Sequence, residues 1–84
     1  MEALIHIETY TVAAYRAIRP AIVASGIGYF GVSGLLISAR IKTKDYSYLV
    51  AVVNQAAECA GVDRSEYSIV LMEMLRHRFK ESVW

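Results

Sequence analysis

Apolar and polar residues alternate at the start of the chain. Ala3, Ile5 and Ile7 lie on one side of an extended segment, and Leu4, His6 and Glu8 lie on the other. A repeat of two is typical of a strand with one buried face. We therefore predict a strand near residues 3–9.

The repeat then changes to that of a helix, with apolar residues at Val12, Tyr15, Ile18 and Ile22. Thr9 or Thr11 suits the N-cap, and Gly26 suits the residue after the last turn. We predict a helix near residues 11–25. Pro20 removes a backbone donor inside it, so we expect a kink or a break near Ile18.

Residues 27–42 have the pattern of a β-hairpin. Their second half gives the clearest alternation in the chain, with Leu35, Ile37, Ala39 and Ile41 on one side. The pair Ser33-Gly34 lies between two apolar runs and suits a tight turn that needs a positive φ. The predicted hairpin therefore turns at Ser33-Gly34.

A second helix is predicted near residues 45–60. Asp45 precedes an apolar stripe, and Gly61 follows it as a stop. The stripe consists of Tyr46, Leu49, Val50, Val53, Ala57 and Ala60. Cys59 lies in this alanine-rich segment, so we expect it to be a small buried hydrophobic residue rather than a reactive thiol.

A last helix is predicted near residues 64–80. Asp63 suits an N-cap, and Glu66 three residues later completes a capping box. Apolar residues then recur at helical spacing at Tyr67, Val70, Leu71, Met74, Leu75 and Phe79. A strand over 67–75 stays open as an alternative, because this run is apolar on both faces.

Together these elements predict an α+β fold: a small strand–helix–hairpin–helix domain, ferredoxin-like or related, with a C-terminal helix. The chain has 84 residues, which is enough for one domain over 1–84.

The chain is 56% hydrophobic, above the usual ~45–50%. An apolar excess in so small a chain favours an interface on its surface. Phe79, Val83 and Trp84 also favour an interface, because such large apolar residues are unusual in a solvated tail.

The chemistry expected of an enzyme is missing from the sequence. Cys59 is the only cysteine, and His6 and His77 have no spacing typical of a metal site. No glycine-rich phosphate loop is found. We therefore expect a non-enzymatic module without cofactor or metal. The N-terminus lacks the pattern of a signal peptide, which favours a cytoplasmic protein.

Several short motifs resemble the bacterial microcompartment shell domain over about residues 2–61. The resemblance rests on Glu2-Ala3-Leu4, Ile7-Glu8-Thr9, Ala13-Ala14, Ser33-Gly34-Leu35, Arg40, Asp45, Ala57 and Gly61. It implies an α+β domain that forms cyclic homo-oligomers, with Ser33 and Gly34 in the turn that lines a pore. The hairpin is shorter than in that family, and Val23 replaces a usual lysine. An unrelated small α+β domain remains the alternative.

A second interpretation is a helix-turn-helix regulator that binds DNA, formed by helices 45–60 and 64–80. Ala57, Gly61 and Val62 suit the first helix and the turn. The residues that would meet DNA are Arg64, Ser65, Arg76, Arg78 and Lys80. A net charge of +1 offers little to neutralise phosphates, so the partner we favour is a second copy or another protein.

A third interpretation is a membrane-associated protein. Residues 20–39 carry no charge and are flanked by basic residues, and a stretch of this length suits a membrane span. Four glycines and Pro20 within it favour the plainer interpretation, which is a helix end followed by a hairpin.

Overall fold

The computed structural model describes residues 1–75, apart from the side chain of Leu75. Four strands and two helices follow one another along the chain: β1 (Glu2–Thr9), α1 (Val12–Ser25), β2 (Tyr29–Ser33), β3 (Leu36–Lys42), α2 (Tyr46–Cys59) and β4 (Tyr67–Leu75). Short 3-10 turns at Thr43–Asp45 and Arg64–Glu66 precede α2 and β4.

The strands form one antiparallel sheet in the order β2-β3-β1-β4. A βαββαβ chain order with this sheet is the ferredoxin-like arrangement. The predicted α+β class and its strand–helix–hairpin–helix order are therefore confirmed. The β-hairpin supplies the second and third strands, and β1 takes a central place in the sheet between β3 and β4.

One face of the sheet is covered by both helices, and the core lies between these layers. Its most buried members are at most 1% exposed: Ala3, Ile5, Ile7, Ala14, Ile18, Ile22, Ile37, Ala39, Ile41, Leu49, Val53 and Ala57. Alternate residues of β1 and β3 supply half of this set, because successive side chains of a strand point to opposite faces. Within residues 1–75 neither helix lies on the other face of the sheet, called the open face below, which carries Glu2, Leu4, His6 and Glu8 of β1.

The helices begin and end close to the predicted positions. Thr11 caps α1, with its side chain accepting from the N–H of Ala14, and Gly26 follows the helix with a φ of 68°. Gly61 follows α2 with a φ of 72°. The break expected near Ile18 does not occur, because α1 runs through Ile18 and Pro20 as one helix.

The last predicted element was wrong over residues 67–75, which form β4 rather than a helix. The reason is long-range pairing, since β1 is a central strand and β4 supplies its second neighbour along Glu2–Thr9. The capping box at Asp63 and Glu66 does form, but it caps one 3-10 turn. The rest of the predicted helix, residues 76–80, lies outside the described residues, as do Val83 and Trp84.

Cys59 also differs from expectation, because the structure places its free thiol at an exposed position on α2. Val53 and Ala57 face the sheet and are buried. Cys59 follows Ala57 by two positions, so its side chain points away from the core on a helix of 3.6 residues per turn.

Candidate interaction surface

β2 forms one edge of the sheet. Within residues 1–75 it pairs with β3 alone, and all five of its residues are exposed. An edge strand presents a row of unpaired backbone N–H and C=O groups, which is a template for another strand. The edge at Tyr29–Ser33 is therefore available for pairing.

The side chains of β2 make this edge apolar. Phe30 lies opposite Ala39 and Val32 opposite Ile37, so both share the helix-covered side of the sheet. Phe30 is nevertheless 36% exposed and Val32 40% exposed, because the helices leave the edge strand uncovered. Tyr29 lies on the open face beside Arg40 and is 78% exposed.

The hairpin turn lies one residue later than predicted. Ser33 pairs with Leu36 as the last residue of β2, so the turn consists of Gly34 and Leu35. Gly34 has a φ of 61°, whereas Leu35 has a negative φ. This sign pattern is that of a type II′ turn, in which glycine takes the first central position.

The turn is fixed to the end of β1. The backbone N–H of Thr9 donates to the carbonyl of Leu35 at 3.2 Å, and the Thr9 hydroxyl donates to the same oxygen. Thr9 is itself buried. The tip that carries Ser33, Gly34 and Leu35 is thus held by the central strand.

β4 forms the opposite edge, and it too exposes apolar side chains. Leu71, Met72 and Met74 are each about half exposed. The register with β1 shifts here, because Leu4 opposes Glu73 while Ile5 opposes Leu71, which leaves Met72 in a β-bulge. Leu71 and Met74 border a shallow notch of about 140 Å³ together with Ala3, Thr43 and Tyr46.

The sequence pattern favoured a helix here and kept a strand over 67–75 as the alternative, and the alternative is what the structure has. The signal for the strand was the run that is apolar on both faces over 67–75. The two edge strands now place Leu71 and Met74 at one side of the sheet and Phe30 and Val32 at the other.

Arg64 and Ser65, the described residues of the predicted DNA-binding helix, lie in the 3-10 turn before β4. The Asp63 carboxylate accepts from the hydroxyl of Ser65 at 2.6 Å and from its backbone N–H at 3.0 Å. These bonds lower the pKa of the Asp63 carboxyl, the hydroxyl of Ser65 contributing most.

The predicted second helix of a helix-turn-helix is therefore not formed over residues 64–75, because β4 commits that backbone to the sheet. Arg76, Arg78 and Lys80 lie outside the described residues.

The interpretation of residues 20–39 as a membrane segment also changes, since they contain the end of α1, the β2 strand and part of β3. No helix in the described part of the chain is long and apolar enough to span a membrane.

Few polar groups come together elsewhere. Tyr10, Ser68 and Glu8 form a small cluster at the exposed rim of the open face. The two hydroxyls lie 2.7 Å apart, and each is within hydrogen-bond distance of Oε1 of Glu8, so one hydroxyl donates to the other while the second donates to the carboxylate. Across residues 1–75 no group of three or more histidine, cysteine or acidic side chains is arranged to hold a metal ion.

The fold and its two edges define the class of this protein as a ferredoxin-like domain with an open sheet face. Comparison with known protein families, with curated proteins and with solved structures gives no match.

Proposed function

We propose that the chain is a non-enzymatic, self-assembling module that forms homo-oligomers through the edges of its sheet. The observation that carries the proposal is that both edge strands expose apolar side chains, and that among residues 1–75 each of them pairs along one side only. These side chains are Tyr29, Phe30 and Val32 on β2 and Leu71, Met72 and Met74 on β4. Natural proteins usually protect such edges with charges, proline or covering loops.

In the proposed contact the β2 edge of one copy meets the β4 edge of the next. The β2 edge offers a short strand with a large aromatic ring, and the β4 edge offers flexible methionines, which adapt to irregular surfaces. Strand addition across them would continue the sheet from one copy into the next. Such a contact is heterologous, and it makes a ring when the rotation between copies closes.

The resemblance to the microcompartment shell domain supports a ring as the form of the assembly. In that comparison Ser33 and Gly34 correspond to the turn at the pore. Gly34 has a φ of 61°, which glycine adopts easily, and a Cβ added there would meet no heavy atom within 4 Å. The open space beside Gly34 leaves room for a neighbouring copy at this turn.

Sedimentation velocity on the full chain tests the proposal, with a matched pair of substitutions. Val32→Lys places a charge on the β2 edge, and we expect it to convert the oligomer to monomer. Val12→Lys makes the same chemical change at a half-exposed position on α1, and we expect it to leave the oligomer intact. Circular dichroism should show the same folded spectrum for both variants.

A second substitution tests the other edge. Met72→Lys alters β4 at its half-exposed bulge, and we expect it to weaken association as Val32→Lys does. A clean monomer for the unmodified chain at high micromolar concentration would overturn the proposal. Equal association by the Val32→Lys, Met72→Lys and Val12→Lys variants would overturn the assignment to the edges.

A further inference from the structure

A cleft lies at the end of the sheet, where α1 ends, β2 begins, β3 ends and α2 begins. Its volume is about 480 Å³, which is within the range of small-molecule sites. Three basic side chains line it: Arg40, Lys42 and Lys44. We infer that this cleft binds a small phosphorylated ligand with a flat ring, of which a mononucleotide is the test case.

The charges of the cleft favour an anion. Arg40 donates from Nε to Oε1 of Glu2 at 3.0 Å, and both side chains are about half exposed. Within residues 1–75, the terminal nitrogens of Arg40 have no hydrogen-bond partner, and Lys42 and Lys44 form no ion pair. Arginine in particular can bind phosphate through two parallel hydrogen bonds.

Two carboxylates also line the cleft, and they differ in their surroundings. Glu2 is already paired with Arg40. Asp45 precedes α2 and makes no side-chain cap there. Its negative charge repels an anion in the cleft. Removing that charge should strengthen phosphate binding, whereas it would weaken the binding of a metal cation.

At Gly28 two backbone segments of the cleft lining approach each other closely. Gly28 has a φ of 55°, and a Cβ there would overlap the carbonyl oxygen of Arg40. No larger residue allows the start of β2 to approach β3 so closely. The close approach places the backbone of Gly28 beside Arg40 at the wall of the cleft.

Two tyrosines of the cleft can contact the organic part of a ligand. Tyr29 and Tyr48 both belong to the lining, and both are largely exposed. Stacking of a base on an aromatic ring contributes about 1–3 kcal/mol in single-stranded nucleic acid complexes. A ring with an attached phosphate would therefore use the tyrosines and the basic residues together.

Isothermal titration calorimetry with adenosine monophosphate, inorganic phosphate and adenosine tests this inference on the full chain. We expect the nucleotide to bind more tightly than either fragment. The double variant Lys42→Ala/Lys44→Ala should lose about tenfold or more in affinity, a difference of about 1.4 kcal/mol. The control Arg16→Ala/Arg19→Ala removes the same charge from α1, outside the cleft lining, and should keep the affinity within about twofold.

The change in nucleotide affinity caused by Asp45→Asn distinguishes an anion site from a cation site. Tighter nucleotide binding by this variant supports an anion site, and weaker binding overturns it. No nucleotide binding at millimolar concentration also overturns the inference, as does an equal loss in the Arg16/Arg19 control. Inorganic phosphate that binds as tightly as the nucleotide would overturn the role of the tyrosines. Much tighter binding of a short single-stranded oligonucleotide than of the mononucleotide would overturn the small ligand and indicate a nucleic acid instead.

Discussion

The hydroxyl of Thr11 donates a 2.8 Å hydrogen bond to Oε1 of Glu66, 55 positions further along the chain. Thr11 also accepts from the backbone N–H of Ala14 at 3.1 Å, and the other oxygen of Glu66 accepts from the N–H of Asp63 at 3.0 Å. The N-cap of α1 and the capping box before β4 thus share one carboxylate. This joins the start of α1 to the start of the strand that completes the sheet.

Thr11→Ala should lower the free energy of unfolding by about 1–2 kcal/mol. The variant loses an N-cap, which costs roughly 0.5–2 kcal/mol, and leaves Glu66 without one partner. Urea unfolding followed by circular dichroism measures the change. Thr43→Ala is the control, because the Thr43 hydroxyl makes a single 3.4 Å bond at an exposed site, and its effect should be close to zero.

Tyr67 and Asn54 should prove energetically coupled. The buried Tyr67 donates from its hydroxyl to Oδ1 of Asn54 at 2.6 Å, which joins β4 to α2. Tyr67→Phe should cost about 0.5–1.5 kcal/mol. A double-mutant cycle with Asn54→Ala should give an interaction energy of about 0.5 kcal/mol or more. Additive effects of the two changes would show that the bond contributes nothing.

Three glycine-to-alanine variants should form a graded series in thermal stability. Gly28→Ala combines a φ of 55° with a clash against the Arg40 carbonyl, and should cost about 2 kcal/mol or more. Gly26→Ala has the positive φ without the clash and should cost about 1 kcal/mol. Gly31→Ala has neither and should be nearly neutral. Equal melting temperatures for Gly28→Ala and Gly26→Ala would contradict the close approach.

Asp63 should titrate below the usual range for aspartate. The hydrogen bond from the Ser65 hydroxyl makes the largest contribution to lowering this pKa, so Ser65→Ala should raise the pKa of Asp63 in an NMR titration. A folded-state pKa below the unfolded value stabilises the fold above the unfolded pKa, and this stabilisation disappears as the pH falls through the folded pKa. The stability difference between the parent and Ser65→Ala should therefore be present at neutral pH and shrink in acid.

Local signals in the sequence were enough for five of the six elements. Thr11 and Gly26 mark the ends of α1, and the alternation around Ile37, Ala39 and Ile41 marks β3. Each of these signals depends on neighbours within a few residues. They also led to the hairpin turn, although the pairing of Ser33 with Leu36 moves it by one residue, from Ser33-Gly34 to Gly34-Leu35.

The helix predicted over 67–75 has a definite physical cause of error. Tyr67, Leu71 and Met74 share the helix-covered side of the sheet, at the spacing i, i+4, i+7 that a helix would give. The bulge at Met72 produces this spacing by inserting one residue into a repeat of two. The bulge depends on pairing with Leu4 and Ile5, which no local pattern contains.

The exposed edges were equally hidden from the sequence. Phe30 and Val32 belong to an apolar run that resembles core, and their exposure depends on where α1 and α2 cross the sheet. The cleft beside Arg40 likewise joins residues from four elements. Both surfaces are properties of the assembled layers.

The sheet ends in two unlike strands, and this gives any assembly built through them a direction. Each copy would offer its five-residue β2 edge forwards and its nine-residue, bulged β4 edge backwards. A copy altered at Val32 would still attach to a neighbour through β4 and would then stop further addition. A minor fraction of such copies would terminate growth, so a substitution at one edge would act on the unmodified chains around it.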